Sequence, residues 1–300
     1  MNHIPDSELI INPDGSIYHL NLLPEQIAQT IITVGDPERV KRVSQCFDKI
    51  EVQVSKREFI THTGQLGRHR ISVISTGIGP DNIDITLNEL DALANIDFAT
   101  RQKKAQKTSL KIIRFGTSGG LQADLPIDSI LLSSHSIGLD NLLHFYERKN
   151  IEEEKALLKL MTENGIKLSV TPYFSKGNKY LLDTLGKGFH QGITLTSPGF
   201  YAPQGRSLRL KSLMTPETLD KLAGLSFQQA KISNFEMETA AIYGLSELMG
   251  HEALSCSALI ANRANKTFSQ NPKKAVDDLI EVMLERIEVM LDAELLKKRH

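Results

Sequence analysis

The chain has 300 residues, 40% of them hydrophobic, enough to bury a sizeable core and too many for disorder. Its 35 Lys and Arg nearly cancel 36 Asp and Glu, which excludes the basic surplus of a nucleic-acid-binding domain. No run approaches the roughly eighteen apolar residues of a membrane span, and the first twenty residues lack the basic and apolar regions of a secretory signal, so a soluble, cytoplasmic protein with no nucleic-acid or membrane partner is expected.

Short β-rich runs then alternate with helical patterns. IITVG at 31–35 leads into the helical PERVKRVSQCF, followed by strand candidates at 57–66 and 69–76 and a helix from Asp81. LKIIRFG and SILLSSHS come next, then strand candidates at 167–175, 192–200 and 252–263. That order predicts an α/β fold with a mixed, largely parallel central sheet flanked by helices. The apolar spacing of Phe235, Met237, Ala241, Leu245 and Leu248 predicts a helix over 235–248. From Pro272 onward, apolar residues three and four apart predict a covering helix over 272–298. The charged stretches 147–155 and 297–300 read as solvated surface. Cys46 and Cys256 sit among apolar neighbours and read as buried packing residues in a reducing compartment. With no repeat or linker, 1–300 reads as one domain, 1–17 being an N-terminal extension.

Three glycine-bearing turns are expected after strands, at Gly35-Asp36-Pro37, at Gly77-Ile78-Gly79 and across 116–120. Ligands of open α/β sheets bind at such carboxyl ends, where glycine lets backbone N–H groups approach an anion. None has the spacing of a P-loop or of a dinucleotide fingerprint, which disfavours nucleoside triphosphates and NAD. Arg39 and Arg114 lie beside two of these turns and could supply charge-assisted bonds to a phosphate. Glu236 and Glu238 flank Met237. Either they complement a helix dipole, or one of them binds sugar hydroxyls and stabilises positive charge at an anomeric carbon. Neighbours so spaced on a helix would not flank one bond as a glycosidase pair must. Gln204 and Arg206 offer an amide and a guanidinium that can complement a uracil edge, with Phe200 or Tyr201 over the ring face.

The ordered pieces YHL, VGDPERV, REF, STGIG, RFGTSGG, FYAPQGR, FEMET and a late NR, spread from Tyr18 to Arg263, resemble the nucleoside phosphorylase-I family, in particular its uridine phosphorylase branch. The resemblance implies the phosphorylase/hydrolase-like fold and cleavage of uridine by inorganic phosphate into uracil and ribose 1-phosphate. Phosphate is then a co-substrate, and no cofactor or metal is implied. It assigns Gly35, Arg39, Arg114 and Thr117 to phosphate, joined by Arg57 from a neighbouring subunit. His19, Glu236, Met237 and Glu238 fall to ribose, with His19 also crossing an interface to the 5′-hydroxyl. Phe200, Gln204 and Arg206 fall to the base. Shared sites imply a homo-oligomer, at least a dimer. Two departures stand out: Pro80 replaces a second glycine after GIG, and Asn82 stands where relatives that hold an interfacial cation beside the counterpart of Glu58 have Ser. The alternatives are a purine nucleoside phosphorylase, whose late strand-end acid is replaced here by Ala261-Asn262-Arg263, and a non-catalytic nucleoside-binding protein on the same fold.

Overall fold

A short apolar run without alternation suits a strand covered on both faces, and Thr30–Val34 (β1) is buried at all five positions. The computed structural model describes residues 3–149 and 151–297. After β1, Asp36 caps the helix Pro37–Ser44 (α1) by accepting the Glu38 N–H at 2.9 Å, with Pro37 in the first turn. An antiparallel meander follows, Lys49–Lys56 (β2), Phe59–Leu66 (β3) and His69–Ser75 (β4), then the helix Pro80–Asn95 (α2) and a two-stranded ribbon, Ile96–Asp97 (β5) with Gln102–Lys103 (β6). The second half continues as Lys111–Gly120 (β7), Ile130–Gly138 (β8), Glu152–Glu163 (α3), Tyr173–Lys176 (β9), Lys179–Leu185 (α4), His190–Thr196 (β10), Pro216–Gly224 (α5) and Ser226–Phe227 (β11). It closes with Ala230–Glu236 (β12), Thr239–Met249 (α6), Glu252–Asn262 (β13), Thr267–Phe268 (β14) and Pro272–Lys297 (α7).

The sheet runs β11-β12-β10-β8-β13-β7-β1-β4-β3-β2, with β9 on β8 and β14 on β13. Parallel pairs form two inner blocks, β4 with β1 with β7 with β13, and β8 with β10 with β12, which meet at the antiparallel pair β8 with β13. Antiparallel hairpins form its margins, so the sheet is mixed, as the alternation of patterns predicts. Because β12 also pairs antiparallel with β7 at Asn234↔Gly120 and Phe235↔Gly119, the strands β7, β13, β8, β10 and β12 close into a ring. The expected turn at 116–120 is therefore strand: its glycines continue the ladder to β13 as far as Gly120.

Three apolar clusters hold helices to the sheet. Val40 and Val43 of α1 and Leu279, Met283 and Ile287 of α7 pack on one face. The other face is covered by α2 and α6 together with Leu9, Ile17, Leu20 and Leu22 of the N-terminal segment. Leu157 and Leu222 bring α3 and α5 to the ring. Full burial of one such leucine is worth roughly 1.5–3 kcal/mol, so truncating Leu279 to Ala costs ~2–5 kcal/mol once the cavity is counted.

Several expectations are corrected. The helix predicted over 235–248 starts only at Thr239, because Phe235 and Glu236 pair with Leu195 and Thr196 of β10. Of the strand expected over 167–175, only Tyr173 to Ser175 belong to β9. The edge strand β2 escapes prediction because its faces alternate between exposed and half-buried. Within 147–155, Glu154 is buried, bonded to Arg148 at 2.6 Å and to the Phe174 N–H at 2.9 Å, since α3 folds back over β9; Asn150 lies outside the described residues. Cys46 is exposed, because it follows α1 on the outer side while Phe47 turns inward, and only Cys256 is buried. The covering helix matches as far as Lys297; positions 298–300, like 1–2 of the extension, lie outside the described residues.

Candidate active site

The carboxyl ends of β1, β4, β7, β10, β12 and β13 open onto one cavity of about 620 Å³. Each strand delivers side chains from its own end or from the loop beyond it, so residues distant in sequence meet here. Gly35 and Arg39 come from the β1–α1 junction, Gly77 and Ile78 from the β4–α2 loop, Arg114, Thr117 and Ser118 from β7 itself, and Phe200, Gln204 and Arg206 from the segment after β10. The end of β12 adds Glu236, Met237 and Glu238.

Arg39 and Arg114 form a cationic floor. The Arg39 guanidinium is buried and donates to the Phe115 carbonyl at 3.0 Å, while its Nε has no acceptor among the described residues. Burial and the nearby Arg114 push its pKa down to about 10, so it remains charged at neutral pH in a place that disfavours charge. An unpaired buried donor on a cation calls for an anion. Ser118 Oγ, also buried at the cavity wall, likewise lacks a partner among the described residues. Nothing in the sequence singles out Ser118, which there reads as one member of a glycine-rich turn.

Arg114 is held by two carboxylates, Glu238 at 2.5 Å and Glu236 at 3.3 Å. Burial opposes its charge, but Glu236 and Glu238 outweigh burial and raise its pKa. The Glu238 carboxyl is itself raised, chiefly by burial, with Arg114 pulling it back and Glu236 adding to the rise. Its Oε1 accepts the Gly79 N–H at 2.9 Å, which requires the loop glycines: Gly77 and Gly79 have φ of 72° and 100°, conformations that favour glycine. Glu236 plays a different part. It ends β12 and accepts the N–H groups of Glu238 and Thr239, each at 2.9 Å, and the Thr196 hydroxyl at 2.5 Å. The two carboxylates are thus not neighbours on a helix face; a strand end and a helix N-cap bring both to Arg114.

At the other end, Gln204 is buried and its Oε1 accepts from Arg206 Nη1 at 2.7 Å. Arg206 lies over the Phe200 ring at 3.7 Å, and Arg263 fixes the loop by donating to the Gln204 carbonyl. Phe200 lines the cavity, whereas Tyr201 does not. Asn262 is turned to structure, donating to the Gln122 and Leu125 carbonyls and accepting the Asn265 N–H, so only Ile260 and Ala261 of that strand end face the cavity.

Ten of the twelve sequence-predicted site residues therefore meet in one cavity, and His19 and Arg57 do not. The β2–β3 turn sends Glu58 to the cavity, while Arg57 stacks 5.9 Å from the Tyr18 ring beside His19. Among the described residues, no helix is long and apolar enough to cross a membrane.

The family described as the phosphorylase superfamily matches residues 29–293. The uridine phosphorylase of Thermococcus kodakarensis is 28% identical over 267 residues, covering 87% of this chain and 83% of its own. A DeoD-type purine nucleoside phosphorylase of Clostridium perfringens is also 28% identical, over 277 residues, covering 89% of this chain and 97% of its own. The crystal structure of Trypanosoma brucei nucleoside phosphorylase, which shows uridine phosphorylase activity, superposes with a TM-score of 0.85 at 29% identity, covering 93% of this chain and 98% of that one.

Proposed function

The chain belongs to the phosphorylase superfamily and is a pentosyltransferase of the nucleoside phosphorylase type, and we propose that its nucleoside is uridine, cleaved by inorganic phosphate to uracil and ribose 1-phosphate in pyrimidine salvage. The observation that carries this reading is the pairing of Gln204 with Arg206 in the same cavity as the Arg39 and Arg114 floor. An amide beside a guanidinium supplies donors and an acceptor for the carbonyl and N–H edge of uracil. The purine reading would require an acid at the end of β13, where Ala261 faces the cavity and the Asn262 side chain is committed elsewhere.

In the proposed reaction, phosphate sits against Gly35, Arg39, Arg114 and Thr117, and Glu238 takes the ribose hydroxyls beside Met237. A phosphate oxygen forms a bond to C1′ as the C1′–N1 bond breaks, and the electron pair leaves with the uracil ring, which becomes free uracil by taking up the proton that hydrogen phosphate gives up. Arg39 and Arg114 hold the nucleophile in line, Glu238 stabilises the oxocarbenium-like sugar, and Gln204 with Arg206 receives the charge arriving on the base. Glu236 acts by holding the Glu238 and Thr239 backbone in place. No cofactor or metal enters these steps. His19 and Arg57, being outside this chain's own cavity, would serve the ribose and phosphate of a neighbouring copy, which makes the working unit at least a dimer in a soluble, cytoplasmic enzyme.

Purified protein incubated with uridine or inosine, each with and without phosphate, tests the reading by the ultraviolet spectrum of the free base. Phosphate-dependent uracil release with inosine untouched is expected. Hypoxanthine release would replace uridine by a purine nucleoside, and turnover without phosphate would make the protein a hydrolase. Binding without turnover would make it a nucleoside-binding protein.

A further inference from the structure

One carboxylate outside the cavity is spent entirely on two consecutive residues of the N-terminal segment. Glu89, on α2, is nearly buried, its side chain 13% exposed, and both its oxygens point at the segment that carries His19. The His19 N–H reaches both oxygens at 3.0 Å, the Leu20 N–H reaches Oε2 at 2.8 Å, and the imidazole Nδ1 lies 2.6 Å from Oε1. Anchoring the N-terminal segment would need only the backbone bonds, and Leu20 and Leu22 already bury themselves against the core. The bond to Nδ1 does something further. A carboxylate that accepts there keeps the proton on Nδ1 and leaves Nε2, on the far side of the ring, as its other polar atom, with no partner among the described residues. The ring is partly exposed, and its edge meets the Tyr18 ring at 4.7 Å, on the same surface where Arg57 stacks on Tyr18.

We propose that Glu89 is the positioning residue for His19, locking the imidazole with Nδ1 inward and Nε2 outward so that it meets the 5′-hydroxyl of a nucleoside held in a neighbouring copy. This rests on the proposed function, in which His19 serves a neighbour's ribose. A hydrogen bond to a hydroxyl is directional and weakens steeply off axis, so a ring free to turn about its side-chain torsions would meet the 5′-hydroxyl only part of the time. Glu89 removes that freedom before substrate arrives.

The test compares kcat/KM for uridine and for 5′-deoxyuridine, which lacks the group that His19 would meet, in the full-length protein. Glu89→Ala and the shape-conserving Glu89→Gln are each expected to lose on the order of 10-fold on uridine, and less than about 2-fold on 5′-deoxyuridine. His19→Ala is expected to show the same selectivity, and adding Glu89→Ala to it should cause no further loss on uridine. Equal losses on both substrates in Glu89→Gln, or no loss on either, overturn the proposal, because a purely structural anchor would not distinguish the substrates. If His19→Ala itself treats both substrates alike, it is the placement of His19 at a ribose that fails. Selectivity in His19→Ala without selectivity in either Glu89 variant leaves that placement standing and removes Glu89 from it.

Discussion

Gly116→Ala is a single methyl aimed at the centre of the site. Gly116 lies on β7 two residues after Arg114, and a Cβ built there would stand 1.7 Å from Arg114 Nη1, 2.4 Å from Cζ and 2.8 Å from Nη2. Ordinary contacts begin near ~3.5 Å, so the guanidinium must move by roughly 1.5–2 Å. It has little room to do so, being 5% exposed and held by Glu238 at 2.5 Å and Glu236 at 3.3 Å. Displacement breaks a buried ion pair, at about 3–5 kcal/mol when a partner is left unpaired. A misplacement of about 1 Å at a reacting centre costs on the order of 100-fold in rate. The variant should therefore fold with a lowered melting temperature and lose at least about 100-fold in kcat/KM for phosphorolysis, measured by uracil release. Wild-type kcat/KM together with an unchanged melting temperature would refute the role given to Arg114 and its carboxylates.

The desolvated charge of Arg39 gives a stability prediction with a definite sign. Burial and Arg114 lower its pKa to about 10 in the fold, below that of an arginine in the unfolded chain, so up to about pH 10 its charge subtracts from stability in full, and the penalty fades only as pH rises beyond that. At pH 7, Arg39→Met should raise the melting temperature without phosphate and abolish the extra stabilisation that phosphate gives over chloride at equal ionic strength; phosphate stabilisation that survives in Arg39→Met would contradict this. Glu238→Gln should lose about 100-fold in kcat/KM on uridine but distinctly less on 2′-deoxyuridine, which lacks one of the hydroxyls it would bind; equal losses would remove Glu238 from the sugar. A thiol reagent should label Cys46 in the native protein and reach Cys256, whose thiol burial pushes far up, only after unfolding; native labelling of both would contradict the packing around β13.

Much of the site is legible in the sequence because its residues sit at strand ends, and strand ends announce themselves where an apolar run stops at Gly or Pro. Gly35 and Arg39 are found this way, as is Gly77. The illegible part depends on pairing between distant strands. Nothing local to 116–120 says that β13 and β12 will carry those glycines on as strand, and nothing local to Glu236 says that Thr196 of β10 will hold it in a ladder. The apolar spacing of 235–248 fits a helix, and tertiary pairing at Phe235 overrides it. Glu89 reads as one more charge on an amphipathic helix until the N-terminal segment folds across it. Arg57 and His19 are recognisable only through the family's motifs, since neither lines the candidate active-site cavity of its own chain.

The most direct measurement tracks the phosphorus atom. Incubating the protein with uridine and inorganic phosphate and recording the 31P spectrum should show ribose 1-phosphate appearing in step with free uracil, one for one, and neither product forming when phosphate is left out. Free ribose in place of the phosphorylated sugar, or uracil release indifferent to phosphate, would contradict an attacking phosphate held by Arg39 and Arg114.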